Sequence, residues 1–497
     1  MPTVEEFQLR PLGWENDPEQ ERFKLSTLDY LSTITYTNSA LFFRLGENEK
    51  IEAAAILQAG LERTLSQIRH LAGTIEKDED GQYSIIRTKH TFVRFVVQHL
   101  DTREDDYPSF DKIAKAHFLS PILGDIEVLS NSGMTCGNIP EAHPDNSPAI
   151  SSYKANFIPG GLIFNVHSHH WSNGLAGATY FFKQLAENCY ALKKSTKFPS
   201  FDPRCLNRSL FGVPGFDRPS LPTQPQIDAP PRAHRNSEHK PSQSLIFHLP
   251  KSKATLLKAA ASPSNGSRIS TYNAVCALMW RVLCRIRQPL YKHSLSSKPL
   301  WAQGVTLSKL FTDPPIPERI QGNLQFDITS EMSGIPPLTL GEIISSAPLH
   351  RLATYTREMT DCVTMDMLTA ALAKFANVRN KADLSIHVDA LPPMSVLLTD
   401  WRMAKYCTFD FGFGIPECHR HLFGGVPLCL AVVYAPHRGP AGEDEGLEVQ
   451  LSVETELVET LLEDEEWVRY FEFRGVDAWD EESEKLMKGK KGYKAKL

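Results

Sequence analysis

The segment from residue 198 to residue 243 constrains the fold more than any other part of the chain. It is rich in Pro, Ser and Arg, and neither a strand period nor a helix period runs through it. It divides the 497 residues into two parts of similar size, each long enough to bury a core of its own. The sequence therefore predicts an N-terminal domain (1–197), a crossover linker (198–243) and a C-terminal domain (244–497).

Both parts combine strand patterns with helix patterns. Residues 160–169, "GGLIFNVHSH", alternate as a strand does, and the apolar residues of 175–192 then recur at helical spacing. Ser172 or Asn173 is expected to cap that helix. The second part repeats the mixture, with a strand at 245–250, a helix at 270–288, a strand hairpin at 426–436 and 447–454, and a closing helix at 455–471. These patterns predict a mixed α/β architecture.

Composition excludes several classes of protein. The net charge of −6 argues against a nucleic-acid partner, and no run of about 18 apolar residues predicts a membrane span. The nine cysteines include no CxxC pair, so neither a disulfide framework nor a zinc finger is expected. The last three residues, Ala495, Lys496 and Leu497, are a variant of the Ser-Lys-Leu peroxisomal address. We expect a cytoplasmic or peroxisomal protein; the alternative for this tail is a solvated lysine-rich terminus.

Three histidines crowd the junction between the strand and the helix: His167, His169 and His170. They could bind a metal, form hydrogen bonds in the core, or supply a general base. No nearby Cys or Glu completes a metal-ligand set, and no metal is predicted. A histidine at the end of a strand lies beside a cleft, and its ordinary pKa of about 6.5 suits proton transfer near neutral pH. Gly174 would let the chain turn tightly there.

Two motifs carry a resemblance to a known family. "HHWSNG" at 169–174 resembles the HHxxxDG-type signature of the BAHD acyltransferases, which use coenzyme A (CoA), and "DFGFG" at 410–414 resembles their DFGWG. Further segments resemble the family in the same order: residues 26–43, 68–75, 269–281, 316–323 and 397–414. The similarity runs almost from end to end. It is strongest to the fungal branch, which includes trichothecene acetyltransferases.

The resemblance implies two pseudo-symmetric domains like chloramphenicol acetyltransferase, with mixed sheets flanked by helices and an active-site tunnel at their interface. By position in the motif, His169 is the base that takes the proton of the acceptor hydroxyl. Thr399 and Trp401 would face the reaction centre, where the indole N–H of Trp401 would stabilise the oxyanion, unless Trp401 is only tunnel wall. Ser270 and Thr271 match the CoA-binding positions.

The resemblance also implies supporting roles. His167 would be a hydrogen-bonded neighbour of His169, and His170 would pack on the opposite strand face. Lys251, Lys253 and Arg268 would meet the CoA phosphates or form a solvated surface. The residues expected to hold the geometry of the site are Asn173, Gly174, Asp410, Gly412 and Gly414.

Asn173 departs from the family, which has Asp paired with Arg at this point. The segment that should supply the Arg has Ser308 or Lys309 instead. Because both charges are lost together, we expect a neutral or mildly favourable hydrogen bond between Asn173 and Ser308 or Lys309.

The function implied is an O-acyltransferase acting in a ternary complex. It would move an acyl group, expected to be acetyl, from acyl-CoA to a hydroxyl of a fungal terpenoid, polyketide or alkaloid. Acyl-CoA would be a co-substrate, with no tightly bound cofactor, and the protein is expected to be a monomer. Two alternatives stay open: a catalytically impaired paralogue that binds a metabolite, and a free-standing condensation-type enzyme.

Overall fold

The structure is a computed structural model that describes residues 2–79, 81–102, 104–211, 226–229, 235–313, 315–345, 348–436 and 444–489. Its strands are β1 (Thr3–Leu9), β2 (Gln20–Lys24), β3 (Tyr36–Arg44), β4 (Thr74–Lys77), β5 (Tyr83–Thr88), β6 (Val93–His99), β7 (Ser151–Ile158), β8 (Gly161–His169), β9 (Ser242–Pro250), β10 (Trp301–Thr306), β11 (Gln325–Thr329), β12 (Val396–Trp401), β13 (Cys418–His421), β14 (Leu430–Tyr434), β15 (Gly446–Glu454) and β16 (Glu472–Trp479).

The α-helices alternate with these strands. They are α1 (Thr27–Tyr30), α2 (Lys50–Gln67), α3 (Phe110–Lys115), α4 (Ser120–Leu123), α5 (Ile126–Leu129), α6 (Leu175–Lys194), α7 (Lys251–Ala260), α8 (Thr271–Tyr291), α9 (Leu340–Ile344), α10 (Leu349–Asp361), α11 (Met365–Ala376), α12 (Val458–Glu463), α13 (Glu465–Val468) and α14 (Glu481–Gly489).

The first large sheet has six strands in the order β1-β6-β7-β8-β3-β13. Strands β6 and β7 run parallel, and the other pairs are antiparallel. Apolar residues of β8 such as Phe164 and Val166 belong to the same core as α2 and α6. The sixth strand, β13, comes from the C-terminal half and pairs with β3. The first sheet is thus completed by a segment that lies far beyond residue 243.

The second large sheet has seven strands in the order β11-β10-β12-β14-β15-β9-β16. Its strands β10, β12 and β14 run parallel to one another, and the remaining pairs are antiparallel. Helix α8 fills the centre of the associated core, where Trp280 packs against Trp301 of β10. The antiparallel pair β14–β15 is the predicted hairpin. Two mixed sheets flanked by helices confirm the predicted α/β architecture.

Local details differ from the sequence expectations. Helix α6 begins after Gly174, which makes no side-chain cap, so the prediction of Ser172 or Asn173 as the cap was wrong. The predicted closing helix is broken at Asp464, whose carboxylate accepts from the N–H groups of Glu466 and Trp467 and so starts α13 separately. Strand β16 and helix α14 follow it. Parts of the 198–243 segment, and the C-terminal tripeptide, lie outside the described residues.

No described helix is long and apolar enough to cross a membrane. No group of His, Cys, Asp and Glu in the described part of the chain could hold a metal ion.

Candidate active site

A cavity of about 410 Å³ lies between the two large sheets. The first sheet and its loops contribute Thr37 and His170, whereas the second sheet contributes Asp327, Thr399 and Trp401. Side chains alternate along a strand, so Thr399 and Trp401 of β12 share the face that lines the cavity. The cavity is therefore an interface between the two sheets, where the resemblance places the active site.

The ring of His169 is held by the backbone on both sides. Its Nε2 lies 2.8 Å from the carbonyl oxygen of Ala142, and its Nδ1 accepts from the N–H of Trp171 at 3.2 Å. A carbonyl oxygen only accepts, so Nε2 carries the proton and Nδ1 supplies the lone pair. In this arrangement neither nitrogen has a lone pair free for a substrate hydroxyl. The ring is fully buried, which lowers the pKa of His169 to about 4.

His170, not His169, is among the residues that line the cavity. The strand ends at His169, and the backbone N–H of His170 bonds to the carbonyl of Thr35 on the neighbouring chain segment. The expectation that His170 only packs was therefore wrong. Burial of the ring lowers the pKa of His170 below its ordinary value. The Nδ1 atom of His170 has no hydrogen-bond partner among the described residues.

His167 lies deeper in the first sheet and is fully buried. Its Nε2 accepts from the backbone N–H of Asn131 at 3.1 Å. Two residues earlier on the same strand, Asn165 donates to the side chain of Asn38. On this face of β8, Asn165 and the Nε2 atom of His167 thus have partners inside the fold, whereas Nδ1 of His167 has none among the described residues.

Trp401 forms part of the cavity wall and packs against two further histidines. Its ring lies 4.2 Å from that of His421, edge to face, and 5.9 Å from that of His419. Asp400, between the two cavity residues, points the other way and forms an ion pair with Arg402 at 2.7 Å. Thr399 and Trp401 are therefore brought together in the cavity with His170.

Asn173 is buried, and both polar atoms of its side-chain amide form hydrogen bonds to the second domain. Its Nδ2 donates to Oε1 of Gln321 at 2.9 Å, and its Oδ1 accepts from the N–H of Gly322 at 2.7 Å. The prediction of Ser308 or Lys309 as its partner was wrong, because both of those residues are exposed. The partners of Asn173 are neutral, as is its own side chain, so this contact needs neither the Asp nor the Arg that the family has here.

A buried ion pair supports the same loop and was missed by the sequence analysis. Arg208 pairs with Asp29 at 2.8 Å and donates to the carbonyls of Trp171 and Ser172. Asp29 also accepts from the backbone N–H and side-chain amide of Asn323. Asp29 lies in the family-like segment 26–43, but nothing in the sequence marked Arg208, which belongs to the aperiodic segment between the two halves.

Two glycines occupy close contacts that a side chain would disturb. A Cβ at Gly174 would lie 2.7 Å from Oδ1 of Asn323.

Gly412 has a φ of +82°, and a Cβ there would lie 2.7 Å from Cβ of Lys193 on α6. Asp410 accepts from the N–H of Gly412 at 2.7 Å, which closes the DFGFG loop. At Gly414 the nearest contact of a Cβ is Phe43, at 3.6 Å.

The residues proposed for CoA lie at the start of α8 and do not line the cavity. The hydroxyl of Ser270 accepts from the N–H of Asn273 and donates to its side chain, a capping box. Ser270 is exposed and Thr271 half-buried. Nearby, Lys253 forms an ion pair with Glu472 at 2.9 Å, while Lys251 and Arg268 are exposed.

Comparison with known proteins gives this geometry a context. An acetyltransferase of Gibberella zeae, FGR3, is 46% identical over 96% of this chain and 95% of its own length. The trichothecene 3-O-acetyltransferase TRI101 of Fusarium sporotrichioides is 24% identical over 88% of this chain and 94% of its own. The structure of F. graminearum TRI101 complexed with coenzyme A and T-2 mycotoxin has the same fold, with a TM-score of 0.73 at 22% identity, covering 92% of this chain and 100% of that one.

The sequence model of the Transferase family matches residues 15–466, which is most of the chain. The resemblance found in the two motifs is thereby confirmed, together with the fold that it implied. The chain belongs to the Transferase family, and it is an acyltransferase of that family.

Proposed function

We propose that the protein transfers an acyl group, expected to be acetyl, from acyl-CoA to a hydroxyl of a fungal secondary metabolite. The observation that carries this proposal is the cavity between the sheets, where His170, Thr399 and Trp401 meet. Support comes from two relatives: FGR3 is named an acetyltransferase, and TRI101 has been crystallised with coenzyme A and a toxin. Acyl-CoA is a co-substrate, and CoA leaves as the free thiol once its acyl group has been transferred.

The reaction needs a base, a positioned thioester and a donor to the oxyanion. The base takes the hydroxyl proton as the acceptor oxygen attacks the thioester carbonyl, and a tetrahedral intermediate forms. Thr399 or the indole N–H of Trp401 donates to its oxyanion. The C–S bond then breaks, and the thiolate of CoA takes the proton from the base. Holding both substrates in one cavity supplies a large part of the acceleration.

Two adjacent imidazoles are candidates for the base. His169 holds the position that the motif assigns, and it acts as the base if the ring leaves its two backbone bonds in the substrate complex, which frees the lone pair that the N–H of Trp171 engages. His170 is the second candidate, favoured by its place on the cavity wall. In either case the neutral ring is the active form, and burial favours that form.

Two single variants separate the candidates. His169→Gln and His170→Gln are assayed by release of free thiol from acetyl-CoA with a panel of hydroxylated terpenoids, polyketides and alkaloids. Loss of the base lowers kcat by about a hundredfold to ten-thousandfold. Melting temperatures of both variants control for unfolding. Turnover that survives in both variants contradicts the assignment of the base to this pair, and the absence of turnover with every acceptor contradicts the acyltransferase proposal in favour of a binding paralogue.

The quaternary state and location follow as part of the same proposal. We propose a monomer, which size-exclusion chromatography with light scattering tests directly. The C-terminal tripeptide is proposed to direct the protein to peroxisomes. A fluorescent protein fused to the N-terminus of the full chain, compared with a version lacking Ala495, Lys496 and Leu497, tests this. The same cytoplasmic distribution for both contradicts it.

A further inference from the structure

The cavity carries an excess of negative charge. Two carboxyl groups line it, from Asp327 and Asp389, and no Lys or Arg is among the described residues that do so. Asp389 is engaged, because its Oδ1 accepts from the N–H of Leu428 at 2.9 Å. Asp327 has no such partner among the described residues.

The carboxylate of Asp327 has no hydrogen bond or ion pair to any described residue. It lies on β11 opposite Gly304 of β10, and a Cβ on that glycine would be 3.2 Å from its Oδ1. The neighbouring strand thus offers it neither a donor nor a covering side chain. Burial raises the pKa of Asp327 to about 6, and the group is still mostly ionised at neutral pH. A desolvated carboxylate without a partner is costly unless a ligand supplies a donor.

His421 on the cavity wall also offers an acceptor. The hydroxyl of Tyr434 donates to Oε1 of Gln450 at 2.8 Å, and the amide of Gln450 donates to Ser244 and Asp477. The one proton of that hydroxyl is therefore used, so its oxygen accepts from Nδ1 of His421, 3.2 Å away. The proton of the neutral ring is on Nδ1, and Nε2 carries the lone pair.

The Nε2 atom of His421 has no hydrogen-bond partner among the described residues, although the residue is only 5% exposed. His170 lines the same cavity. Asp327, which is half-buried, and His421, which is buried, are thus two groups on the cavity wall that accept and do not donate. A ligand that satisfies both must bring donors, and one that balances Asp327 must bring a positive charge.

We propose that the acceptor substrate is an amino alcohol, whose protonated nitrogen pairs with Asp327 while its hydroxyl lies among the imidazoles and Thr399. This inference deepens the proposed function and rests on it, because it names the class of acceptor. An ammonium group satisfies the carboxylate through a charge-assisted hydrogen bond, which a neutral alcohol of the same shape does not provide. The remaining wall is largely apolar, from residues such as Leu31, Leu397 and Val432, and suits a compact polycyclic body.

The test measures binding by isothermal titration calorimetry of the full chain. The probes are tropine, a bicyclic amino alcohol that is protonated at neutral pH, and its carbocyclic analogue, in which carbon replaces the ring nitrogen. We expect tropine to bind about tenfold to hundredfold more tightly, as for a hydrogen bond to a charged group. Asp327→Asn is expected to remove that preference. The matched control is Asp366→Asn, which changes an exposed carboxylate of α11 and should keep it.

The stability of the variant supplies a second readout. Removing an unpaired charge from this half-buried position is neutral or stabilising, so the Asp327→Asn variant should melt at or above the temperature of the unchanged protein. Equal affinity for the two probes, or a preference for tropine that Asp327→Asn retains, overturns the inference. Release of thiol from acetyl-CoA is measured separately. A preference for tropine without any turnover supports the pairing of an ammonium group with Asp327 and counts against acyl transfer, whereas turnover of neutral alcohols without a preference for tropine does the reverse.

Discussion

Replacing Arg208 with Met tests how the loop that carries the histidines is held. Methionine keeps most of the volume and removes every donor. Three contacts disappear: the ion pair to Asp29 at 2.8 Å, the bond to the Ser172 carbonyl at 2.6 Å and the bond to the Trp171 carbonyl at 3.3 Å. Asp29 is fully buried and keeps its bonds from Ser26 and Asn323, but it loses its only described counter-charge.

The magnitude follows from these contacts. Breaking a buried ion pair by removing one partner costs about 3–5 kcal/mol, and each orphaned carbonyl costs about 1–3 kcal/mol when taken alone. The terms overlap because they share one guanidinium group, so we expect a total of about 4 kcal/mol. For an unfolding unit of about 200 residues this lowers the melting temperature by about 10 °C. Acyl transfer should fall as well, since the carbonyls belong to the turn that follows His169.

Thermal unfolding followed by circular dichroism measures the effect. The matched control is Arg204→Met, four residues earlier, whose exposed side chain pairs with Asp202; its loss should leave the melting temperature nearly unchanged. The double variant Asp29→Asn with Arg208→Met should be more stable than the sum of the single changes, because no unpaired charge is left. Arg208→Met melting within about 2 °C of Arg204→Met would refute a supporting role for this ion pair.

Three further outcomes are expected. Asn173→Asp should cost about 2 kcal/mol and give no gain in turnover, because a carboxylate would face the Oε1 of Gln321; a melting curve and a thiol-release assay check this. Gly412→Ala should cost about 2 kcal/mol, because of its positive φ and its contact with α6, whereas Gly414→Ala should be nearly neutral; thermal unfolding of the pair decides. With a neutral acceptor alcohol, which does not pair with Asp327, the pH profile of kcat/KM should stay flat as pH falls below about 6.5 and decline only where the buried imidazole gains a proton, near pH 4 if His169 is the base. A decline centred at pH 6.5 or above contradicts a buried base.

Strands and helices whose apolar residues recur at a regular spacing were predictable from the sequence. The change from alternating residues in 160–169 to helical spacing after Gly174 located β8 and α6 within a few residues. The position of Thr399 and Trp401 on one face of a strand was also predictable, since alternation decides it. The predictions that failed depend on contacts between residues far apart in the sequence. Gln321 accepts a hydrogen bond from Asn173 only because the two domains meet there.

The polar character of the cavity could not be deduced from sequence at all. The significance of Asp327 comes from Gly304 on the neighbouring strand, and a pairing register is needed to bring them together. The tautomer of His421 is set by Tyr434 and Gln450, which lie on two other strands. In the same way, the turn at His169 and His170 depends on the carbonyl groups of Thr35 and Ala142, whose proximity the sequence does not reveal.

The origin of β13 has a consequence for synthesis and for dissection of the chain. Until residues 418–421 leave the ribosome, β3 is an open sheet edge whose N–H and C=O groups have no neighbour on that side. The N-terminal half therefore has an incomplete sheet during most of translation. An open edge of this kind favours pairing with other chains and binding by chaperones. Cutting the chain at the linker would make that state permanent, whereas the two halves produced together can regain the missing strand by association.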